Sequence, residues 1–286
     1  MTQEIDTLIK PFLKWAGGKR QLLHYINEYR PDNFNRYIEP FIGGGSVFLN
    51  FQFDRPVLND FNEELINTYK TVRDELEALI ELLKKHEMNN TKEYYYELRS
   101  WDRDDSYKER SNVERAARFI YMNKTGFNGL YRVNAKNQFN VPYGTYKNPN
   151  IVNEETLRSV SRYLTASNAV ILNGDFEKAT DYAEPGDFIY LDPPYAPIDA
   201  DSNNFVGYTH GGFGYEEQVR LKEVYDRLDA LGCYVMLSNS SSEFIHDLYA
   251  DYAETTEIVG ATRSVNAKGT GRGKVDEVIV MNYSYK

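Results

Sequence analysis

Asp192-Pro193-Pro194-Tyr195 follows residues 187–191, DFIYL, an apolar run that reads as a buried strand. In an open α/β sheet, ligands bind at the carboxyl ends of the strands. Two consecutive prolines fix φ and stiffen the turn. Asp192 and the Pro193 carbonyl then stand as two acceptors beside the flat face of Tyr195. A planar amino group has two hydrogens to donate and a delocalised lone pair. Acceptors on both hydrogens favour a more pyramidal nitrogen and push the lone pair toward an electrophile. The chemistry suggested is positioning plus electrostatic stabilisation of an attacking amine. The same four residues also suit a structural turn with a core tyrosine.

Two further patterns suit a bound cofactor. Glu39-Pro40-Phe41-Ile42-Gly43-Gly44-Gly45 places a glycine run after a short apolar strand. Glycines let a backbone turn tightly and approach a ligand closely. The spacing is not G-x-G-x-x-G, so a helix cap and a dehydrogenase site both remain open readings. Asp60 ends the next strand, 17 residues after Gly43, where an acid hydrogen-bonds ribose hydroxyls. Phe12-Leu13-Lys14-Trp15-Ala16-Gly17-Gly18-Lys19 precedes the first strand and suits closure over a carboxylate tail. It equally suits a helix start behind a core tryptophan.

These residues need a sheet to hold them. Residues 36–41 read as a strand, 46–53 as a helix and 56–60 as a second strand. Asn62 opens a helix with Glu63 and Glu64 in its first turn, where the helix dipole favours acids. This β–glycine loop–α–β opening is Rossmann-like. Residues 74–118 read as mostly helical, with Leu76, Leu79, Ile80 and Leu83 at spacings of three and four. Residues 125–149 are rich in Gly, Asn, Pro and Tyr, as in a hairpin or irregular loop. Strands return at 169–172, 187–191, 233–238 and 275–283, with a helix at 216–231. Residues 196–214, with four glycines, read as a mobile loop. The fold class expected is a Rossmann-like α/β sheet interrupted by a helical and hairpin insertion. Residues 1–65 and 156–286 form the catalytic part and 66–155 the insertion.

The chain has 286 residues, 41% hydrophobic and 27% charged. That suits one large α/β domain, or one carrying an insertion. No run approaches the roughly 20 apolar residues of a membrane helix, and no secretory signal is visible, so a cytoplasmic location is expected. Cys233 is the only cysteine, which excludes an intrachain disulfide. The net charge of −10 argues against phosphate binding. Its distribution argues the other way. Residues 115–153 lack Asp and Glu but hold Arg115, Arg118, Lys124, Arg132, Lys136 and Lys147. Residues 260–275 lack them too and hold Arg263, Lys268, Arg272 and Lys274.

In combination, the order FLKWAGGK, EPFIGGG, insertion, DPPY resembles the Dam-type DNA adenine-N6 methyltransferases of the alpha arrangement. It is most similar to the modification enzymes of GATC-specific restriction systems. The resemblance runs from about Pro11 to Tyr283. It implies a methyltransferase that takes its methyl group from S-adenosylmethionine, with no metal. It implies cofactor contacts at Trp15, Ala16, Gly17, Lys19, Glu39, Phe41, Gly43 and Gly45, with Asp60 on the ribose. Asp175 and Phe176, in a GDF sequence, match adenine-ring contacts. Asp192, Pro193, Pro194 and Tyr195 match the catalytic motif, with Asp192 also beside the cofactor and Tyr195 stacking on an extruded adenine.

The insertion carries TGFNGLYR (125–132) and FNVPYG (139–144), similar to the hairpin that reads GATC in that family. By that resemblance Arg132 reads a guanine, for which bidentate contact to O6 and N7 is favoured. Leu130 meets the thymine methyl, Phe127 and Asn128 wedge where the adenine leaves, and Pro142 is a further DNA-binding residue. Lys14 lies near the first base pair. Some relatives carry Tyr where this chain has Phe127, which keeps a stacking face and removes a hydroxyl. The implied partners are double-stranded GATC DNA and a GATC-cleaving endonuclease.

A zinc deaminase would need H-x-E with P-C-x-x-C, and a cytosine-C5 enzyme a Pro-Cys nucleophile. Neither occurs. The readings that stay open are cytosine-N4 methylation, a DNA-binding protein that keeps the fold without turnover, and a nicotinamide dehydrogenase.

Overall fold

The computed structural model describes residues 9–197, 213–262 and 274–285. Most of the expected mobile loop at 196–214 lies outside these residues, as do Arg263, Lys268 and Arg272 of the second basic window. In chain order the elements are α1 (Leu23–Tyr29), β1 (Tyr37–Glu39), α2 (Ser46–Phe51), β2 (Val57–Asp60), α3 (Glu63–Asp74) and α4 (Leu76–Met88). Then come α5 (Lys92–Ser100), α6 (Asn112–Thr125), α7 (Glu154–Ala166), β3 (Val170–Asn173), α8 (Phe176–Thr180) and β4 (Phe188–Leu191). The chain closes with α9 (Tyr215–Leu231), β5 (Tyr234–Ser240), α10 (Glu243–Leu248), β6 (Thr256–Thr262) and β7 (Lys274–Met281).

The strands form one sheet in the order β3-β2-β1-β4-β5-β7-β6. β1 to β5 pair in parallel, and β7 runs antiparallel to both β5 and β6. This is the Rossmann-like sheet expected from the sequence. The sequence reading passed over β6, whose Ile258 faces solvent on the outermost strand.

Alternation along the strands feeds two cores. Tyr37, Phe188, Tyr190, Met236 and Ile279 point to one face of the sheet. Ile38, Ile189, Leu191, Val235, Leu237 and Val278 point to the other. All four residues of β4 are buried, as befits a central strand covered on both sides. α9 covers the second face through Leu221, Val224, Tyr225 and Leu228. On the first face the core continues without a break into the insertion, through Leu79, Leu83, Tyr95, Phe119 and Ile120.

Caps set the helix starts. Asn62 accepts from Leu65 N–H at the head of α3, and Ser111 and Glu114 form a capping box at α6. The expected ends of the insertion fall inside helices: α3 runs unbroken through residues 65 and 66, and α7 contains residues 155 and 156. No helix among the described residues is long and apolar enough to cross a membrane.

Candidate active site

Strand order reverses between β1 and β4, and a crevice at such a point is where open α/β sheets bind ligands. Glu39 ends β1, and Asp192 follows β4 immediately. Asp60 ends β2, beside Glu39. The three acids from distant motifs are thus brought to one edge of the sheet. Lys19, itself buried, sets its ammonium 2.8 Å from Asp192 Oδ1 and 4.3 Å from the ring centre of Tyr195. It also donates to the Gly17 carbonyl at 2.8 Å, which ties the first motif to the last.

The turn after β4 is held by polar side chains from α9 and β5. Gln218 donates to the Pro194 carbonyl at 2.8 Å. Asn239 donates to Gln218 and accepts from Ala196 N–H, both at 3.0 Å. Ser240 donates to the Ala196 carbonyl at 2.7 Å. Tyr195 donates its hydroxyl proton to Glu277 of β7 at 2.7 Å. Two prolines and these bonds leave the motif little freedom.

Burial pushes the Asp192 carboxyl up to about 6; Lys19 opposes the shift and Glu277 adds to it. Burial likewise pushes Asp60 up to about 6, against hydrogen bonds from the N–H groups of Asn62 and Gly43. Glu39 is driven well above the usual carboxylate range by burial, opposed by the Tyr37 hydroxyl at 2.8 Å and reinforced by Asp192 and Asp60. Carboxyls held in this way are stabilised by an arriving cation.

Gly43 and Gly45 have φ of +46° and +75°, a left-handed backbone that favours glycine. Packing adds a second demand. A Cβ on Gly43 would lie 2.7 Å from Trp15 Cδ1, and one on Gly45 2.6 Å from Phe48. Trp15 therefore seats against the glycine turn, with its other neighbours Tyr131 and Phe119 stacked at 5.3 and 6.2 Å. Phe41 stacks on Phe176 at 5.4 Å. Asp175 caps α8 through Glu177 N–H and takes a two-point contact from Arg220 at 2.7 and 2.9 Å. The Arg220 guanidinium also lies 4.2 Å from the Phe176 ring centre. Phe61, directly after Asp60, is 56% exposed and offers an aromatic face beside that acid.

The loop at 125–149 folds back as an irregular hairpin, bridged at Gly126 with Tyr143 and at Val133 with Phe139. Phe127, Asn128, Arg132 and Pro142 are exposed, whereas Leu130 is half-buried against the core. Phe127 N–H donates to the Pro142 carbonyl, so these two stand together. Asn128 holds a left-handed φ of 56°. Arg132 donates to Asn140 Oδ1 at 2.7 Å.

Buried contacts root the hairpin. Asn123 bonds both the N–H and the carbonyl of Lys14, at 2.9 and 2.8 Å, and the Gly129 carbonyl at 3.1 Å. Asp102 accepts from Phe139 N–H at 2.8 Å and pairs with Arg118 at 2.9 Å. Lys14 lies 5.3 Å from the Tyr146 ring centre. Burial, with Lys14 nearby, lowers the Lys124 ammonium to about 8. Two cations thus flank the exposed edge of the hairpin, a setting that favours anions.

Residues 15–265 match the model of the D12 class N6 adenine-specific DNA methyltransferases. The chain belongs to that family. It is 52% identical over 275 residues to a type II methyltransferase of Lactococcus lactis subsp. cremoris, covering 96% of each chain. It is 42% identical to a type II methyltransferase of Methanocaldococcus jannaschii, over 96% of this chain and 99% of that one. The DNA adenine methylase of Escherichia coli K12 is 33% identical, over 95% of each.

In this D12 methyltransferase the adenine reading stands, and the dehydrogenase, cytosine-N4 and non-catalytic alternatives fall away. The structure gathers Lys19, Glu39, Asp60, Asp192 and Tyr195 at one edge of the sheet. It places Trp15 between the glycine turn and the hairpin, and sets Asp175 and Phe176 under Arg220. The sequence reading missed Gln218, Asn239, Ser240, Arg220, Phe61 and Glu277. Phe61 alone carried a visible signal, an aromatic next to the acid that ends β2.

Proposed function

We propose that this adenine methyltransferase takes its methyl group from S-adenosylmethionine and sets it on N6 of adenine in double-stranded GATC. Its setting would be the cytoplasm, in a restriction-modification system beside a GATC-cleaving endonuclease. The observation that carries the reading is the meeting of Asp192 and Tyr195 with Glu39, Asp60 and Lys19 where the strand order reverses.

Glu39, Asp60 and Asp192, of which Asp192 alone is paired with the Lys19 ammonium, suit a ligand that carries positive charge, and S-adenosylmethionine has both a sulfonium and an ammonium. Asp60 would hold the ribose, Lys19 the carboxylate, and Phe61 and Phe41 the flat adenine, with the buried Phe176 backing Phe41. When bound, the cofactor supplies an electrophilic methyl group. The chain's part is to present the nucleophile. The target base leaves the helix, at a cost of a few kcal/mol, and is repaid by stacking on Tyr195 and hydrogen bonds to its edge. Asp192 and the Pro193 carbonyl accept the two amino hydrogens and turn the lone pair outward. As nitrogen gains the methyl group it loses one proton. Asp192, at about 6, is ionised at neutral pH and well placed to take it.

The site reading rests on the hairpin. Residues 66–155 would read the target, with Arg132 at a guanine, Leu130 at the thymine methyl, Phe127, Asn128 and Pro142 where the adenine leaves, and Lys14 at the outer base pair. The pairing with an endonuclease is supported by the likeness to enzymes named type II methyltransferases.

Labelled methyl transfer to two short duplexes tests the donor, the reaction and the target site. One contains a single GATC, and the other has its adenine replaced. Label in the first alone, recovered as N6-methyladenine, is the expected result. Equal label in both would remove the GATC assignment.

A further inference from the structure

Tyr195 is fixed at more points than a stacking ring needs. Its backbone is clamped on either side by Gln218 at the Pro194 carbonyl and by Asn239 and Ser240 at Ala196. Lys19 lies 4.3 Å from its ring centre. The hydroxyl then reaches Glu277 at 2.7 Å, across β5 and 82 residues along the chain. Glu277 sits in the middle of β7, in register with Ser240 of β5 and Val259 of β6. Packing alone does not ask for a carboxylate here. A serine or a backbone carbonyl would satisfy a phenol, and Glu277 repels the Asp192 that the reaction requires. Burial keeps the Tyr195 phenol protonated far beyond neutral pH, so it stays a donor. A donor held at 2.7 Å by a charged acceptor is a strong, directional bond. With the backbone already clamped, that bond fixes the ring's long axis, and the preference of a phenol O–H for the ring plane favours one tilt about it.

We propose that Glu277 is a positioning residue for methyl transfer, holding the Tyr195 hydroxyl so that the ring lies in the plane on which the target adenine stacks. This rests on the proposed role of Tyr195. Among the described residues Glu277 meets the site through the Tyr195 hydroxyl, so its role would be indirect. It acts through Tyr195, so its loss should slow the chemical step while leaving cofactor affinity alone.

Four variants test it: Glu277→Ala, Glu277→Gln, Tyr195→Phe and the double variant Tyr195→Phe/Glu277→Ala. Each is assayed for kcat and KM on a GATC duplex, for S-adenosylmethionine affinity and for melting temperature. Misplacing a reacting group costs up to about 100-fold per ångström, so a lost tilt should cost E277A about tenfold in kcat. E277Q, whose amide oxygen still accepts the phenol proton, should recover most of that loss. Y195F should match E277A, and the double variant should be no slower than Y195F, because both remove one contact. Independent, multiplying losses would overturn the assignment, as would E277Q no better than E277A, or E277A as fast as wild type. Should E277A fail to fold, Y195F decides, and full activity there overturns the proposal. No methyl transfer by the wild-type protein would instead sink the proposed function, and this inference with it.

Discussion

Lys19 and Asp192, 173 residues apart in the chain, form an ion pair at 2.8 Å. The pair joins the loop before the first strand to the turn after β4. It also opposes the rise that burial causes in the proton affinity of the group proposed to grip the adenine. With Asp192 at about 6, turnover should fall as the pH drops through about 6, because the protonated carboxyl no longer accepts both from the amine and from Lys19. Replacing Lys19 with Met removes the cation that favours the ionised form, so the midpoint should move upward. The rate measured against pH at saturating substrate checks both.

Asp192 also bears on stability. Its folded value of about 6 exceeds the ordinary 3.8, so ionisation costs folding energy. The sign follows from linkage. The cost is absent below the ordinary value, grows as the pH rises, and is complete above the folded one. Asp192→Asn should therefore abolish turnover yet melt higher than wild type near neutral pH. A gain of roughly 1–3 kcal/mol is expected, reduced by the loss of Lys19's partner. The gap should close in melts below about pH 4, where wild-type Asp192 is protonated as well.

Gly43→Ala should damage cofactor binding more than folding. The new Cβ would stand 2.7 Å from Trp15 Cδ1 at a φ of +46°. Trp15 must move, at a cost of about 1–3 kcal/mol in overpacking and strain. Because Trp15 also stacks on Tyr131, next to Arg132, the shift should reach the hairpin. Titration with S-adenosylmethionine and then with a GATC duplex should show both affinities reduced.

Arg132→Ala should lose about 1–3 kcal/mol of discrimination at one guanine. Asn140→Ala should lose less at the same position, since it frees the guanidinium held at 2.7 Å without removing it. Methylation rates on duplexes altered one base pair at a time would locate the guanine. Loss spread evenly over all positions would mean a phosphate contact instead.

The sequence was most legible where chemistry and backbone geometry coincide in a few consecutive residues. The glycine turn, the Asp-Pro-Pro-Tyr turn and the Asn62 cap each announce themselves locally, and each lies where the pattern placed it. The supports did not. Gln218 sits in an ordinary amphipathic helix, 24 residues from the carbonyl it holds. Glu277 sits in a strand, 82 residues from Tyr195. Nothing in their neighbours separates them from solvent-facing polar residues, because their partners are supplied only by strand order. β6 was overlooked for a related reason. An edge strand shows one face to water and leads here into a basic, glycine-rich stretch, so its apolar signal is weak. Arg220 could have passed for one more surface charge on α9, yet it grips Asp175 and covers Phe176.

α3 begins three residues after Asp60, pairs Glu63 and Glu64 with Arg115 of α6, and runs without a break to Asp74. No flexible joint lies along this path between the sheet and the helices that root the hairpin. An engineer who wished to change the target sequence by grafting another enzyme's hairpin could not treat residues 66–155 as an exchangeable cassette. The graft would need to bring α3 and its ionic partners with it, or redesign both sides of that seam together.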